Sequence, residues 1–322
     1  MLDKTIGIYM PTKNRLELLK KAVDSVLSQS YENFELVIVN DGSTDGTQEY
    51  LESITDSRVK FIEHKTSLGS CKSRNDAIKF LDTELVTGLD DDDIFLPDRL
   101  AELLSVYDEK YAFVCSGYFW DYGTYKKALF KNSREISLSD AFDLNQCSNQ
   151  ILVNRKRVLE VSGFDENLPA LQDHDLWIRL ISEFGSAYRL GKSTYVVNDD
   201  RSFERISSVK NKLDAIKIFE KKHKNIMILR NIENFIFYKK KVNNEKISFI
   251  DFIHSTKYGL ISLKLRYYSS QYFKNLSQAR LNYLRTGDFT QLIINLRIFL
   301  VNKAKGIVFF VLIIMVSYLL LF

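Results

Sequence analysis

Four consecutive carboxylates, Asp90-Asp91-Asp92-Asp93, follow the apolar run Leu85-Val86-Thr87-Gly88-Leu89. At neutral pH adjacent anions repel one another, and a strand that empties into such a cluster needs positive charge to offset it. Ligands that are all carboxylate oxygens suit Mg²⁺ or Mn²⁺, and an ion held by one or two of them keeps positions open for substrate phosphates. The alternative is a solvated acidic loop. Against it, the run sits at the carboxyl end of a strand, where open α/β sheets bind ligands. A second pair of acids, Asp173 and Asp175 in Gln172-Asp173-His174-Asp175-Leu176-Trp177, opens a stretch with Leu176, Trp177, Leu180 and Ile181 on one helical face. Acids at a helix N-terminus are favoured by its dipole, so this pair has a purely structural explanation as well.

The elements around these residues read as a repeated strand–helix unit. Thr5–Met10 is rich in β-formers and runs into the turn Pro11-Thr12-Lys13-Asn14-Arg15. Leu16, Leu19, Ala22, Val23, Val26 and Leu27 then recur at helical spacing. Phe34–Val39 is an apolar run of the kind a parallel strand covered on both faces requires. It ends in Asn40-Asp41-Gly42-Ser43-Thr44-Asp45-Gly46-Thr47, dense in turn and cap residues. Val59–Glu63 is a third strand, Ser67–Ser73 a small-residue loop, Arg74–Leu81 a helix and Glu84–Leu89 the fourth strand. Such alternation with short loops predicts a doubly wound, mostly parallel sheet. Its topology places Thr12–Arg15, Asp41–Asp45 and Asp90–Asp93 on one edge. Further on, Ala112–Trp120 and Lys126–Phe130 form a hairpin, Asn149–Val153 and Thr194–Val197 are strands, and Arg155–Val161 and Asp173–Phe184 are helices.

Charge divides the chain. Residues 1–200 carry 23 Lys and Arg against 34 Asp and Glu, whereas 201–305 carry 22 against 7 and 306–322 carry none. An acidic body, a basic segment and an apolar end fit a membrane surface better than nucleic acid, since the cations lie in helical sequence without a strand platform of aromatics. Three cysteines, Cys71, Cys115 and Cys147, without paired spacing argue for a reducing compartment and against a disulfide framework. Met1–Thr5 runs directly into the first strand, so no secretory leader is expected. From about residue 205 the sequence turns Lys- and Tyr-rich and helical. The expected division is 1–205, then a basic helical region 206–305, then an apolar segment 306–322 preceded by Lys303 and Lys305. At 1.5 Å per residue that segment spans about 25 Å, short of a typical ~30 Å hydrocarbon core.

Taken together, Pro11–Arg15, Asn40–Thr47, Arg74-Asn75, Asp90–Asp93 and Gln172–Trp177 resemble glycosyltransferase family 2, the inverting enzymes of GT-A fold, in order and spacing over roughly residues 4–205. The resemblance implies that Asp41 contacts the base or ribose of a nucleotide. It also implies that Thr12 and Arg15 line the same pocket and that Arg74 lies near the nucleotide. A fixed guanidinium there suits a diphosphate. The family's metal motif falls on Asp90 and Asp92, with Asp92 the direct ligand of Mg²⁺ or Mn²⁺; Asp91 belongs with the nucleotide contacts, and Asp93 either supports the ligands from behind or caps the next helix. The family's general base falls on Asp173, with Asp175 as runner-up. Two departures stand out: Gln172 occupies a position where the family often has Glu, and Asn198–Arg205 lacks the His many relatives carry. Trp177 is read as core and Trp120 as either core or an acceptor-groove wall.

What this implies is a metal-dependent inverting transfer from a nucleoside-diphosphate sugar, a UDP-sugar by preference. The acceptor would be a hydroxyl of a polyprenyl-diphosphate-linked glycan at the cytoplasmic face of the cell membrane. Two alternatives come from other classes. A sugar-nucleotide nucleotidyltransferase requires a Gly-rich triphosphate loop after the first strand, and Pro11–Arg15 is poor in Gly. The other is a non-catalytic membrane scaffold that keeps the nucleotide fold.

Overall fold

The computed structural model describes residues 4–147, 151–199 and 209–295. The chain divides into two compact units, one of residues up to 121 together with 127–199, the other of residues 122–126 together with those from 200 onward.

The first unit opens with β1 (Ile6–Thr12), α1 (Leu16–Leu27), β2 (Phe34–Asp41), α2 (Thr47–Ser53), β3 (Val59–His64), α3 (Ser70–Phe80) and β4 (Leu85–Gly88). β1 lies between β2 and β4, with Ile8 opposite both Leu36 and Thr87, and all these pairings are parallel. Every residue of β1 is buried, as a strand covered on both faces must be. One face sends Ile6, Ile8 and Met10 into a cluster with Leu19, Val23 and Val26 of α1. The other lies under α3. There a Cβ on Gly7 would come within 2.4 Å of Thr83 Oγ1, so the close approach demands glycine.

The chain continues through β5 (Ile94–Phe95), α4 (Arg99–Ser105), β6 (Val114–Asp121), β7 (Lys126–Leu129), β8 (Arg134–Ile136), α5 (Leu138–Asp143), β9 (Val153–Asn154), α6 (Arg155–Glu160), α7 (Gln172–Phe184) and β10 (Ala187–Asn198). β9 returns antiparallel to β4 and completes a sheet of order β3-β2-β1-β4-β9. A second, mixed sheet runs β5-β10-β6-β7, with β8 also on β10. The α/β architecture is as expected, but the second sheet is more than the sequence disclosed. Its long strand β10 is broken by register shifts between Leu190 and Tyr195, which erase the alternation that would mark it.

α3 begins at Ser70, after Gly69 at φ 93°, rather than at the expected Arg74, so Arg74 sits in the body of the helix.

The second unit is helical: α8 (Val209–His223), a short 3₁₀ turn at Lys224–Ile226, α9 (Leu229–Val242), α10 (Phe249–Thr256), α11 (Ile261–Tyr272) and α12 (Lys274–Thr286). Stacked rings tie it together, Phe219 on Phe235 with centroids 5.5 Å apart and Phe252 on Tyr268 at 4.7 Å. Lys264 is fully buried and donates to Asn234 Oδ1 and the Ser255 carbonyl, both at 2.6 Å. Among the described residues no helix is long and apolar enough to cross a membrane. The apolar run Gly306–Phe322, with Lys303 and Lys305, lies outside the described residues, as do Asp200–Arg205 and Asn149.

Candidate active site

The site is built on the carboxyl ends of β1, β2 and β4. β1 and β2 are level there, Thr12 opposite Asn40 in the parallel register, and β4 runs straight into the acidic turn. The turn closes through a hydrogen bond from the Asp93 amide to the Asp90 carbonyl.

Each carboxylate of the turn has a distinct partner. Asp91, nearly fully buried, accepts from Thr12 Oγ1 at 2.8 Å and from Arg15 at 3.0 Å. The same Arg15 nitrogen reaches Asp92 at 3.0 Å, so one guanidinium bridges two neighbouring acids. Asp90 pairs with Arg74 at 2.8 Å. Asp93 is buried and accepts from the Tyr195 hydroxyl at 2.6 Å and the Asn198 amide at 2.9 Å, both on β10. It therefore fastens the turn to the second sheet, whereas the helix that follows has Asp98 at its N-cap position. Burial raises the carboxyl of Asp91 to about 6 even with Arg15 beside it, and Asp92 adds to the rise. Burial and the neighbouring Asp92 and Asp90 raise Asp93 well above the usual carboxylate range. Two guanidinium groups thus contact three of the four carboxyls of the turn.

Asp41 is occupied in a way the sequence did not foretell. Its oxygens accept from His64 Nδ1 at 2.9 Å, Ser67 Oγ at 2.6 Å and the amides of Leu68 and Gly69 at 2.7 and 3.0 Å. Burial acts to raise its pKa, but hydrogen bonds from Ser67, His64 and the two amides outweigh that and hold it at about 2. Asp41 shapes the 67–69 loop and must give up one of these bonds to touch a nucleotide. His64 is legible in retrospect, because β2 and β3 end level and Asp41 stands opposite His64.

Arg74 is held on the inner side of α3, its guanidinium over the Phe164 ring at 5.3 Å. The next residue, Asn75, accepts from the Phe164 amide at 2.8 Å and donates to the Phe164 carbonyl and to Glu166. Gly163, at φ 63°, makes room, since a Cβ there would lie 2.4 Å from Asn75 Oδ1. This lock fixes the segment that leads into α7.

α7 begins after Leu171, whose φ of 63° is a left-handed conformation unusual for leucine. Backbone strain of roughly 1–3 kcal/mol at such a position is tolerated where surrounding structure over-determines it. The two acids of the first turn part company here. Asp175 is fully buried and paired with Arg179 at 2.8 Å, and Arg179 also donates to the carbonyls of Val161 and Gly163. Asp173 is half-buried and accepts from Asn145 Nδ2 at 2.9 Å. Loss of water raises the Asp173 carboxyl to about 6, the His174 amide and Arg74 acting against that rise and Asp90 with it. Asp173, Asp90 and Arg74 therefore share one electrostatic neighbourhood, and Tyr9 on β1 feels all three. Asn145 lies 28 residues from Asp173, and nothing in the sequence points to it. His174 Nε2 turns away to the Ala141 carbonyl at 2.6 Å. Trp177 is core, between Phe113 and Phe164. Trp120 is partly buried against the main core of the unit.

A metal is to be judged on this donor set. Among the described residues no three His, Cys, Asp or Glu side chains come together as a ready-made ion site. Asp90 and Asp92 nonetheless fit a hard cation that shares its coordination with a ligand's phosphates, because both keep open surface, 21% and 34% of the side chain.

The family model for glycosyl transferase family 2 matches residues 7–160. A protein of Escherichia coli K12 named as the colanic acid biosynthesis glycosyl transferase WcaA is 32% identical over 235 residues, covering 68% of this chain and 81% of that one. The chain belongs to glycosyl transferase family 2. This glycosyltransferase is also 26% identical over 182 residues to the E. coli UDP-Glc:alpha-D-GlcNAc-diphosphoundecaprenol beta-1,3-glucosyltransferase WfaP, covering 55% of the chain and 70% of the relative. It spans only 33% of a longer glycosyltransferase of Rickettsia felis, with which it shares 30% identity over 56% of its own length. In fold it resembles Staphylococcus aureus TarS residues 1–349, solved with UDP-GlcNAc, at a TM-score of 0.61 and 16% identity over 94% of this chain and 93% of that one. The fold is thus a GT-A-like α/β fold with a helical C-terminal region.

Proposed function

We propose that this glycosyltransferase transfers a sugar with inversion from a nucleoside-diphosphate donor, a UDP-sugar by preference, to a hydroxyl of a polyprenyl-diphosphate-linked glycan. The reaction would take place at the cytoplasmic face of the cell membrane, during assembly of a bacterial surface polysaccharide. The observation that carries the mechanism is the pairing of Asp173, raised to about 6 and left partly open, with the Asp90–Arg74 ion pair nearby.

Thr12, Arg15, Arg74, Asp90 and Asp91 hold the nucleotide end of the donor, and Asp41 supports it through the 67–69 loop. Asp90 and Asp92 are the residues to hold Mg²⁺ or Mn²⁺, which when bound supplies positive charge to the diphosphate as it leaves. Asp173 takes the proton of the acceptor hydroxyl as that oxygen attacks the anomeric carbon. The bond from that carbon to the diphosphate oxygen breaks, the electron pair leaves with the nucleoside diphosphate, and attack from the opposite face inverts the configuration. Asp175 is unsuited to the role because Arg179 already claims its charge. The names of the E. coli relatives support the choice of donor and lipid-linked acceptor, and the donor set of the turn supports the metal.

The test is a panel of nucleotide-sugars in a thermal-shift assay with and without Mn²⁺, followed by turnover on an undecaprenyl-diphosphate-linked acceptor. One donor class that stabilises the protein chiefly with metal, and a product of inverted configuration, is the expected result. Retained configuration, or turnover undiminished in chelator, overturns the mechanism.

A further inference from the structure

The second unit leaves much large apolar side chain in contact with water. From residue 226 to 236 five aliphatics are open, Ile226, Ile228, Leu229, Ile232 and Ile236, at 46, 56, 62, 39 and 39% exposure. Within α9, Leu229, Ile232 and Ile236 stand three and four residues apart and make one stripe, while Asn231, Asn234 and Phe235 are buried. α10 repeats the pattern: Phe249, Ile250 and Ile253 are 61, 80 and 47% exposed, and Phe252 is buried against Tyr268. Single exposed aliphatics are ordinary, but outward stripes on two helices are the mark of an interaction surface. The surrounding sequence is basic. Residues 221–257 carry nine Lys and Arg against three Asp and Glu, with Lys221, Lys222 and Lys224 ahead of the first stripe and Lys246 and Lys257 on either side of the second.

We propose that the stripes of α9 and α10 form a docking surface for an anionic lipid bilayer. The helices would lie in the plane of the membrane, with the apolar side chains entering the headgroup–acyl boundary and the lysines meeting lipid phosphates. Charge selects this occupant. A second copy docked through the same face would set like charge against like. The uncharged run Gly306–Phe322 could cover the aliphatics but leaves the lysines nothing to meet. The inference deepens the proposed membrane setting of the transfer. Its test uses neither donor nor acceptor, so the two readings fail separately.

The three native cysteines are buried, so one cysteine introduced into the full chain takes a nitrobenzoxadiazole label selectively. Ile232→Cys and Ile250→Cys are the reporting positions. Lys217→Cys on α8, 78% exposed at the side chain, is the reference. On addition of phosphatidylglycerol vesicles the two reporting labels shift to the blue and are quenched by acyl-chain spin-labelled lipid, while the reference stays water-like. Phosphatidylcholine vesicles have little effect. Labels at 232 and 250 that stay water-like while the protein floats with the vesicles overturn the proposal, because another part of the chain is then the anchor. Labels already blue-shifted without lipid overturn it too, since the stripes are then covered by protein. As a second measure, the double variant Ile232→Glu, Ile250→Glu loses about tenfold or more in vesicle affinity. Unchanged affinity at unchanged melting temperature sinks the idea.

Discussion

The acidic turn after β4 and the acidic first turn of α7 are both short runs rich in aspartate, yet the fold treats them differently. In the turn, cations sit in contact: Arg15 bridges Asp91 and Asp92, and Arg74 holds Asp90. In α7 the contrast falls between residues only two apart. Asp175 has a guanidinium in contact and is a structural anion, whereas Asp173 has the neutral Asn145 in contact and a guanidinium only at longer range. What separates Asp173 from Asp175 is that the nearest partner of one is a neutral donor and that of the other a cation. Burial counts as well: it raises Asp91 to about 6 even with Arg15 in contact, and loss of water beside Asn145 takes Asp173 to about the same value.

The sharpest way to break this comparison is Asp173→Asn. It removes the proposed proton acceptor and keeps the shape, so kcat should fall by about 10²–10⁴-fold, with donor binding and melting temperature unchanged. Turnover that survives in a single-turnover assay would erase the distinction between the two acids. Asp175→Asn should do the reverse. It leaves the half-buried Arg179 without its anion, at a cost of about 3–5 kcal/mol read as a lower urea midpoint, while activity per folded molecule persists. Stability retained with turnover lost would exchange the roles.

A smaller effect comes from pH. The carboxyl must be ionised to accept a proton, and its raised pKa of about 6 means the ionised form is depleted as pH falls through that value. The expectation is a level kcat/KM above pH 7 and a loss approaching about tenfold per unit below pH 6. A rate that stays level down to pH 5 would require another base. The finest test is Asn145→Ala. Removing a donor to the charged form lifts Asp173 further, so the acid limb moves upward by roughly one pH unit, with the plateau largely kept. A drop in plateau without movement of the limb would make Asn145 a packing residue.

Much of this was legible in the residues themselves. Apolar runs such as Phe34–Val39 must be buried strands, and the spacing of Leu19, Val23 and Val26 must be one face of a helix. Asp90–Asp93 at a strand's carboxyl end requires positive charge, whatever supplies it. These readings depend on local periodicity and on like-charge repulsion, which a sequence carries openly. The strand β5 escaped because two residues have no period, and of the irregular β10 only Thr194–Val197 was legible, since register shifts destroy the alternation before it.

What the sequence by itself determined was the parallel α/β half and the edge where its polar loops gather, with the two acidic segments as candidate places for chemistry. Only the tertiary structure decided which acid is which. It brought Arg179 to Asp175, Asn145 to Asp173, and Ser67 with His64 to Asp41. Such partners lie up to dozens of residues away, and desolvation depends on everything packed around a group, so neither is written in the spacing of the residues that do the work.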